Sequence, residues 1–135
     1  PIALKTKKES ENLKRFKNFE LKIYLIKKKL LEFINDKKKQ GKIIAGFGAA
    51  TKGNTLLNFC NINTKDIKFI LETSIHKIGK FTPSSAIPIV DEKQKIKFQA
   101  LIILPWNINK YLKKKIKKSW KVDLISLQDI VNSIP

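Results

Sequence analysis

Ten residues, Gly46-Phe47-Gly48-Ala49-Ala50-Thr51-Lys52-Gly53-Asn54-Thr55, constrain the fold of this chain more than any other segment. They follow the apolar run Lys42-Ile43-Ile44-Ala45 and precede Leu56-Leu57-Asn58-Phe59-Cys60, a pattern that predicts a buried strand, a glycine-rich turn and the opening of a helix. Glycines let the backbone turn tightly and approach a ligand, while unpaired N–H groups and the positive end of the helix dipole face any negative charge there. Gly46, Gly48, Lys52, Gly53, Asn54 and Thr55 are therefore the expected phosphate-binding residues. A glycine turn that merely packs tightly is the competing reading.

Two phosphate fingerprints nearly match. A dinucleotide-binding turn needs its third glycine three residues after the second, but Thr51 stands there and the next glycine is Gly53. The nucleotide-hydrolase loop, started at Gly48, finds Gly53 and Thr55 in place but has Asn54 where its lysine belongs. Without that ammonium, hydrolysis of a nucleoside triphosphate is poorly supported. What survives is a loop suited to a phosphate or diphosphate, with Lys52 adding charge.

Around this turn the pattern alternates strand and helix. Leu13, Phe16, Phe19, Ile23, Ile26, Leu30 and Ile34 recur at spacings of three and four, which predicts a long amphipathic helix, or two in succession, from Glu9 to Lys39 with Gly41 beyond it. Leu21, Tyr24, Leu25 and Leu31 widen its apolar surface, so it either meets a second neighbour or only covers this domain's own sheet. Further on, Ile67 to Leu71, Ile87 to Val90, Ala100 to Leu104 and Val122 to Ile125 read as strands. Lys52 to Cys60, Asp91 to Lys97, Tyr111 to Trp120 and Leu127 to Ile134 read as helices. The expected fold is an α/β, Rossmann-like three-layer sandwich with a mostly parallel sheet, preceded by a long N-terminal helix. Residues 1–40 form the helical segment packing on the domain, and residues 41–135 form the domain itself.

Open parallel sheets bind ligands beyond the carboxyl ends of their strands, where strand order reverses. Three features fall at such ends: the glycine turn, the loop from Thr73 to Ala86, and Pro105-Trp106-Asn107. Glu72 closes the second strand 24 residues past Gly48, where an acid commonly meets a ribose hydroxyl, although a solvated acid is an equal alternative. Lys52, Lys77 or Lys80 would bind a diphosphate, Trp106 would stack on a base or sugar, and Asn107 offers a donor and an acceptor. His76, the sole histidine, stands as a weak candidate general base, a ligand contact or a loop-structuring residue. One histidine and one cysteine cannot assemble a zinc site, so no metal is expected.

The formal net charge of +18 raises nucleic acid as a partner, yet Arg15 is the only arginine and the lysines are spread along the chain. Grooves that grip phosphates with two-pronged contacts favour arginine, so nucleic-acid binding is disfavoured and solvated lysine faces account for the charge. Cys60 is the only cysteine and reads as a small core residue in a reducing, cytoplasmic setting. No run approaches the roughly 20 apolar residues of a membrane span.

Three blocks in order, GFGAATKGNTLLNFC, HKIGKFTPSSAIPIVD at 76–91 and LIILPWN at 101–107, resemble the C-terminal domain of the sugar C-methyltransferases, with the likeness covering roughly positions 20 to 110. The resemblance implies action on a nucleotide-linked deoxysugar with S-adenosylmethionine as methyl donor. It further implies that zinc-binding and methyl-donor domains precede this one, and that the cofactor and the base belong to the methyl-donor domain rather than here. Glu72 stands where that family usually has aspartate, Thr73-Ser74-Ile75 where it has Arg-Asn-Pro, Lys80-Phe81 where it has Arg-Tyr, and Ser84 where it has glycine. On this reading the chain is the substrate-binding domain of such an enzyme, not catalytic alone and begun abruptly as a fragment would be. The alternatives are a free-standing nucleotide or dinucleotide-binding module and a basic nucleic-acid or partner-docking domain.

Overall fold

A computed structural model describes residues 2–134, with side chains from Thr6 onward. Its first element is a single helix, α1 (Ile2–Lys39). The elements β1 (Ile44–Phe47), α2 (Thr51–Phe59), β2 (Ile70–Glu72) and β3 (Ile89–Asp91) follow. The chain then forms β4 (Ala100–Ile103), α3 (Lys110–Ser119), β5 (Asp123–Ser126) and α4 (Leu127–Asn132). All strand pairs are parallel, in the order β3-β2-β1-β4-β5, with Gly46 opposite Ile70 on one side and Ile102 on the other. That order grows outward in both directions from β1 and β4, so the sheet has its reversal point between them.

Strand alternation sorts the core into two faces. Ile44, Ile70, Ile102 and Leu104 point to one side, where they meet Ile26, Leu30 and Ile34 of α1, Leu57 of α2 and Leu127 and Ile130 of α4. Ala45, Phe47, Leu71, Leu101 and Ile103 point to the other, where α3 supplies Ile116 and the segment after it Trp120. The helices α2 and α3 lie on opposite faces, as right-handed crossovers leaving the centre in opposite directions require. Both faces of the central strands are buried, which is why their sequences are continuous apolar runs. The three side chains that α1 buries fully contribute about 2 kcal/mol each, enough to make its C-terminal half part of this core.

Residues 6–21 of α1 stand out in solvent. Leu13, Phe16 and Phe19 are more than half exposed, as are Leu21 and Tyr24, whereas Leu25 and Leu31 pack against the core.

Several sequence expectations shift, among them the first helix, which begins at Ile2 rather than Glu9, and the third strand, which is Ile89–Asp91 rather than Ile87 to Val90. The first strand begins at Ile44 and runs through Gly46 and Phe47, because pairing with both β2 and β4 carries it beyond the point where glycine alone suggests a turn. The second strand starts at Ile70 rather than Ile67, although the Lys68 N–H already donates to the Ile44 carbonyl at 3.0 Å and the Phe69 carbonyl accepts the Gly46 N–H at 2.9 Å. The last helix stops at Asn132. The helix expected at Asp91 to Lys97 does not form: Asp91 ends β3, its Oδ1 accepts from the Lys93 N–H at 3.0 Å, and a turn follows. Residues 92–99 must cross beneath β2 and β1 to reach β4, and coiling eight residues into helix would leave the chain too short for that span. No described helix is long and apolar enough to cross a membrane.

Candidate functional site

The turn after β1 is dictated by packing. Gly48 adopts φ +83°, and a Cβ on it would stand 2.7 Å from Cγ of Pro105. A Cβ on Gly53, in the first turn of α2, would stand 2.9 Å from the Leu104 carbonyl oxygen. Both glycines thus let the strand-to-helix turn close against the end of β4. Gly46 lies inside β1, facing Ile70 and Leu104.

Glu72, at the end of β2, braces the same turn from the other side. Its Oε1 accepts the Ala49 N–H at 3.1 Å, and Oε2 accepts the N–H groups of Thr73 at 2.7 Å and Ser74 at 3.2 Å. Lys77 completes the arrangement, its Nζ 3.9 Å from Oε1 and donating to the Ala49 carbonyl at 2.9 Å. Burial alone would raise the Glu72 pKa, but the Ser74, Thr73 and Ala49 amides and the Lys77 charge outweigh it and hold the carboxyl below its ordinary range. The acid expected at a ribose therefore spends its lone pairs on its own backbone.

Beside this braced turn lies an open pocket of about 280 Å³ between the first turn of α2 and the loop after β2. Thr51 and Asn54 form one wall, and His76, Lys77, Lys80 and Phe81 form the other. Among the described residues no carboxylate lines it and no side chain caps α2, whose first helical bond runs from the Asn54 N–H to the Ala50 carbonyl. An uncapped helix start faced by lysines suits an anion. Asn54 shapes the rim rather than standing free. Its Nδ2 donates to the Pro83 carbonyl at 3.3 Å and its Oδ1 accepts from Ser85 Oγ at 3.2 Å, while Asn58 donates to the same carbonyl at 3.2 Å. Thr82 and Ser85 hold the turn together from inside.

The expected binding residues thus separate. Asn54, His76 and Lys80 converge on this pocket, together with Lys77. Lys52, Thr55 and Trp106 line a different, apolar groove of about 390 Å³ shared with Phe19, Ile23 and Phe59. There Thr55 donates to the Thr51 carbonyl one turn back, and the buried Trp106 Nε1 has no hydrogen-bond partner among the described residues. Asn107 is exposed and lines neither. Sequence reasoning did not single out Thr51 or Thr82, although Thr51 was the residue that broke the dinucleotide fingerprint. Cys60 is buried, its thiol pushed up by burial with Lys27 opposing weakly, as an inert core residue should be. Among the described residues no three of His, Cys, Asp and Glu cluster as metal ligands would.

A family model described as the C-methyltransferase C-terminal domain matches residues 2–126. The chain belongs to that family. It is also 33% identical over 84 residues to C-methyltransferase NovU of Streptomyces niveus, an alignment covering 61% of this chain and 20% of that protein. The matched part therefore spans about a fifth of the relative's length. The C-methyltransferase C-terminal domain family accounts for the long α1 as well as the sheet, since its match extends over both.

Proposed function

We propose that this C-methyltransferase domain binds the nucleotide-linked sugar for a cytoplasmic, S-adenosylmethionine-dependent sugar C-methyltransferase, and that the methyl donor is held by another domain of the full-length protein. Residues 1–40 then serve as the helical segment that packs on the binding domain of residues 41–135. The observation that carries the reading is the pocket beside α2, where Lys77, Lys80 and an uncapped helix start face one another with no carboxylate among the lining residues. A diphosphate placed there would receive charge-assisted hydrogen bonds from both lysines. His76 and Phe81 would border the sugar end.

Glu72 supports placing the methyl donor elsewhere. A nucleoside cofactor seated on a glycine turn needs a free acid at the end of β2 for its ribose, and this carboxylate is committed to the amides of Ala49, Thr73 and Ser74. Gly48 and Gly53 are likewise packed against Pro105 and Leu104.

Calorimetric titration of a nucleotide-linked sugar into the full-length protein tests the reading. Lys80→Ala should weaken binding about tenfold, the loss of one charge-assisted hydrogen bond, and leave the melting temperature within a degree or two because Lys80 is exposed. Unchanged affinity would remove the pocket from the reaction. Methyl transfer by residues 1–135 alone would overturn the assignment of the donor to another domain. Tighter binding of short DNA with a steep loss of affinity in salt would favour a nucleic-acid role instead.

A further inference from the structure

The face of the sheet covered by α3 gathers charge of one sign. Residues 93–99, which cross that face on the way from β3 to β4, and residues 110–121, which are α3 and its end, hold ten lysines and no Asp or Glu. These nineteen residues supply more than half of the formal net charge of +18. A scatter of solvated lysines does not concentrate charge in this way. Helix geometry explains the layout. Ile116 is buried with Leu112 packed beside it, which turns Lys110, Lys114, Lys117 and Lys118 outward within an arc of about 100°. Tyr111 is 79% exposed on the same side, where it lines a shallow depression with Lys114, Lys115 and Lys118. The crossing segment lies alongside, with Lys93 next to Lys115 and the Phe98 ring 6.1 Å from that of Trp120. Its Lys95, Ile96 and Lys97 are exposed. Lys113 is paired with Asp129 of α4, and among the described residues the other α3 lysines have no carboxylate partner.

We propose that α3 and the segment beside it form a docking surface for an anionic phospholipid bilayer. Lysine stems reach the headgroups with their ammonium ends in water, and an exposed tyrosine ring sits well at the same level. The apolar side of α3 is spent on the sheet, so the contact is peripheral and governed by charge rather than by insertion. Nucleic acid fits this face less well. The chain's one arginine, Arg15, belongs to α1, which packs on the other side of the sheet, and lysines on a convex helix offer neither a two-pronged grip on phosphates nor a groove that tracks a strand. Because α1 and α2 also lie on that other side, docking through α3 leaves the pocket beside α2 open to solvent.

Sedimentation of the full-length protein with lipid vesicles tests the surface. Phosphatidylcholine vesicles with about 30% phosphatidylglycerol should carry the protein down, pure phosphatidylcholine should not, and raising salt from about 0.1 M to about 0.5 M should release it. Lys114→Gln combined with Lys118→Gln should weaken vesicle binding about 30-fold, whereas Lys39→Gln combined with Lys65→Gln, which removes equal charge from other exposed positions, should change it less than about threefold. All four lysines are exposed, so both double variants should melt within about a degree or two of wild type. Equal losses from the two pairs would replace the docking surface with net charge alone. Vesicle binding that is absent or indifferent to the headgroup would overturn it, as would tighter binding of short duplex DNA at the same salt that the α3 pair abolishes.

Discussion

The connections after β1 and β2 face each other across one pocket and are built on opposite principles. The turn after β1 is closely packed on the sides away from the pocket: Pro105 and Leu104 abut Gly48 and Gly53, and Glu72 and Lys77 hold Ala49 by its N–H and its carbonyl. The loop after β2 is fastened only at chosen points. Asn54, Asn58, Thr82 and Ser85 secure its distal turn, while His76, Lys80 and Phe81 remain exposed. The contrast teaches that glycine-rich chemistry and ligand chemistry need not coincide. Here Gly48 and Gly53 leave no room for a Cβ, and the lysines beside the pocket belong to the partner loop.

Substitutions rank the two connections. Gly53→Ala should be the most damaging, costing about 3 kcal/mol, because its new methyl group meets a backbone carbonyl at 2.9 Å that cannot move without shifting β4. Urea denaturation measures this; a loss under 1 kcal/mol would mean that the turn is looser than its geometry. Glu72→Gln should cost about 2 kcal/mol, since an amide offers one acceptor where the carboxylate serves three backbone donors. It should also change the acid limb of stability. A carboxyl whose folded pKa is depressed contributes above the ordinary value of 4.5 and loses that contribution as pH falls through the folded pKa, so the wild type should weaken below about pH 4.5 and the variant should weaken less. Parallel limbs would show that the brace has no electrostatic part. Asn54→Ala should cost about 1 kcal/mol and loosen the Pro83 turn, seen as faster amide exchange at Ser85 and Ala86. Protection that stays as in wild type would mean that Asn58 holds the turn alone.

Much of the fold was legible because the sheet is buried on both faces. Runs such as Ala100 to Leu104 announce interior parallel strands, and the three-and-four spacing of Ile23, Ile26, Leu30 and Ile34 announces α1. Local pattern could not foresee that the same stripe, continued to Phe16 and Leu13, would stand in solvent. Acids followed by lysines made Asp91 to Lys97 resemble a helix, and the distance to β4 overrode that preference. At the site, Lys80 and His76 were identifiable from their position after a strand. The separation of Lys52 and Trp106 from them was not, because which side of α2 a residue faces depends on where α1 lies.

Lys77 links the two connections, with its ammonium on the carbonyl of one and its backbone in the other. Any occupant that draws this ammonium toward itself must slacken the Ala49 tether, so arrival of a ligand would be felt at the Glu72 brace as well as in the pocket. In that event a single side chain would carry the effect of an occupant into the scaffold.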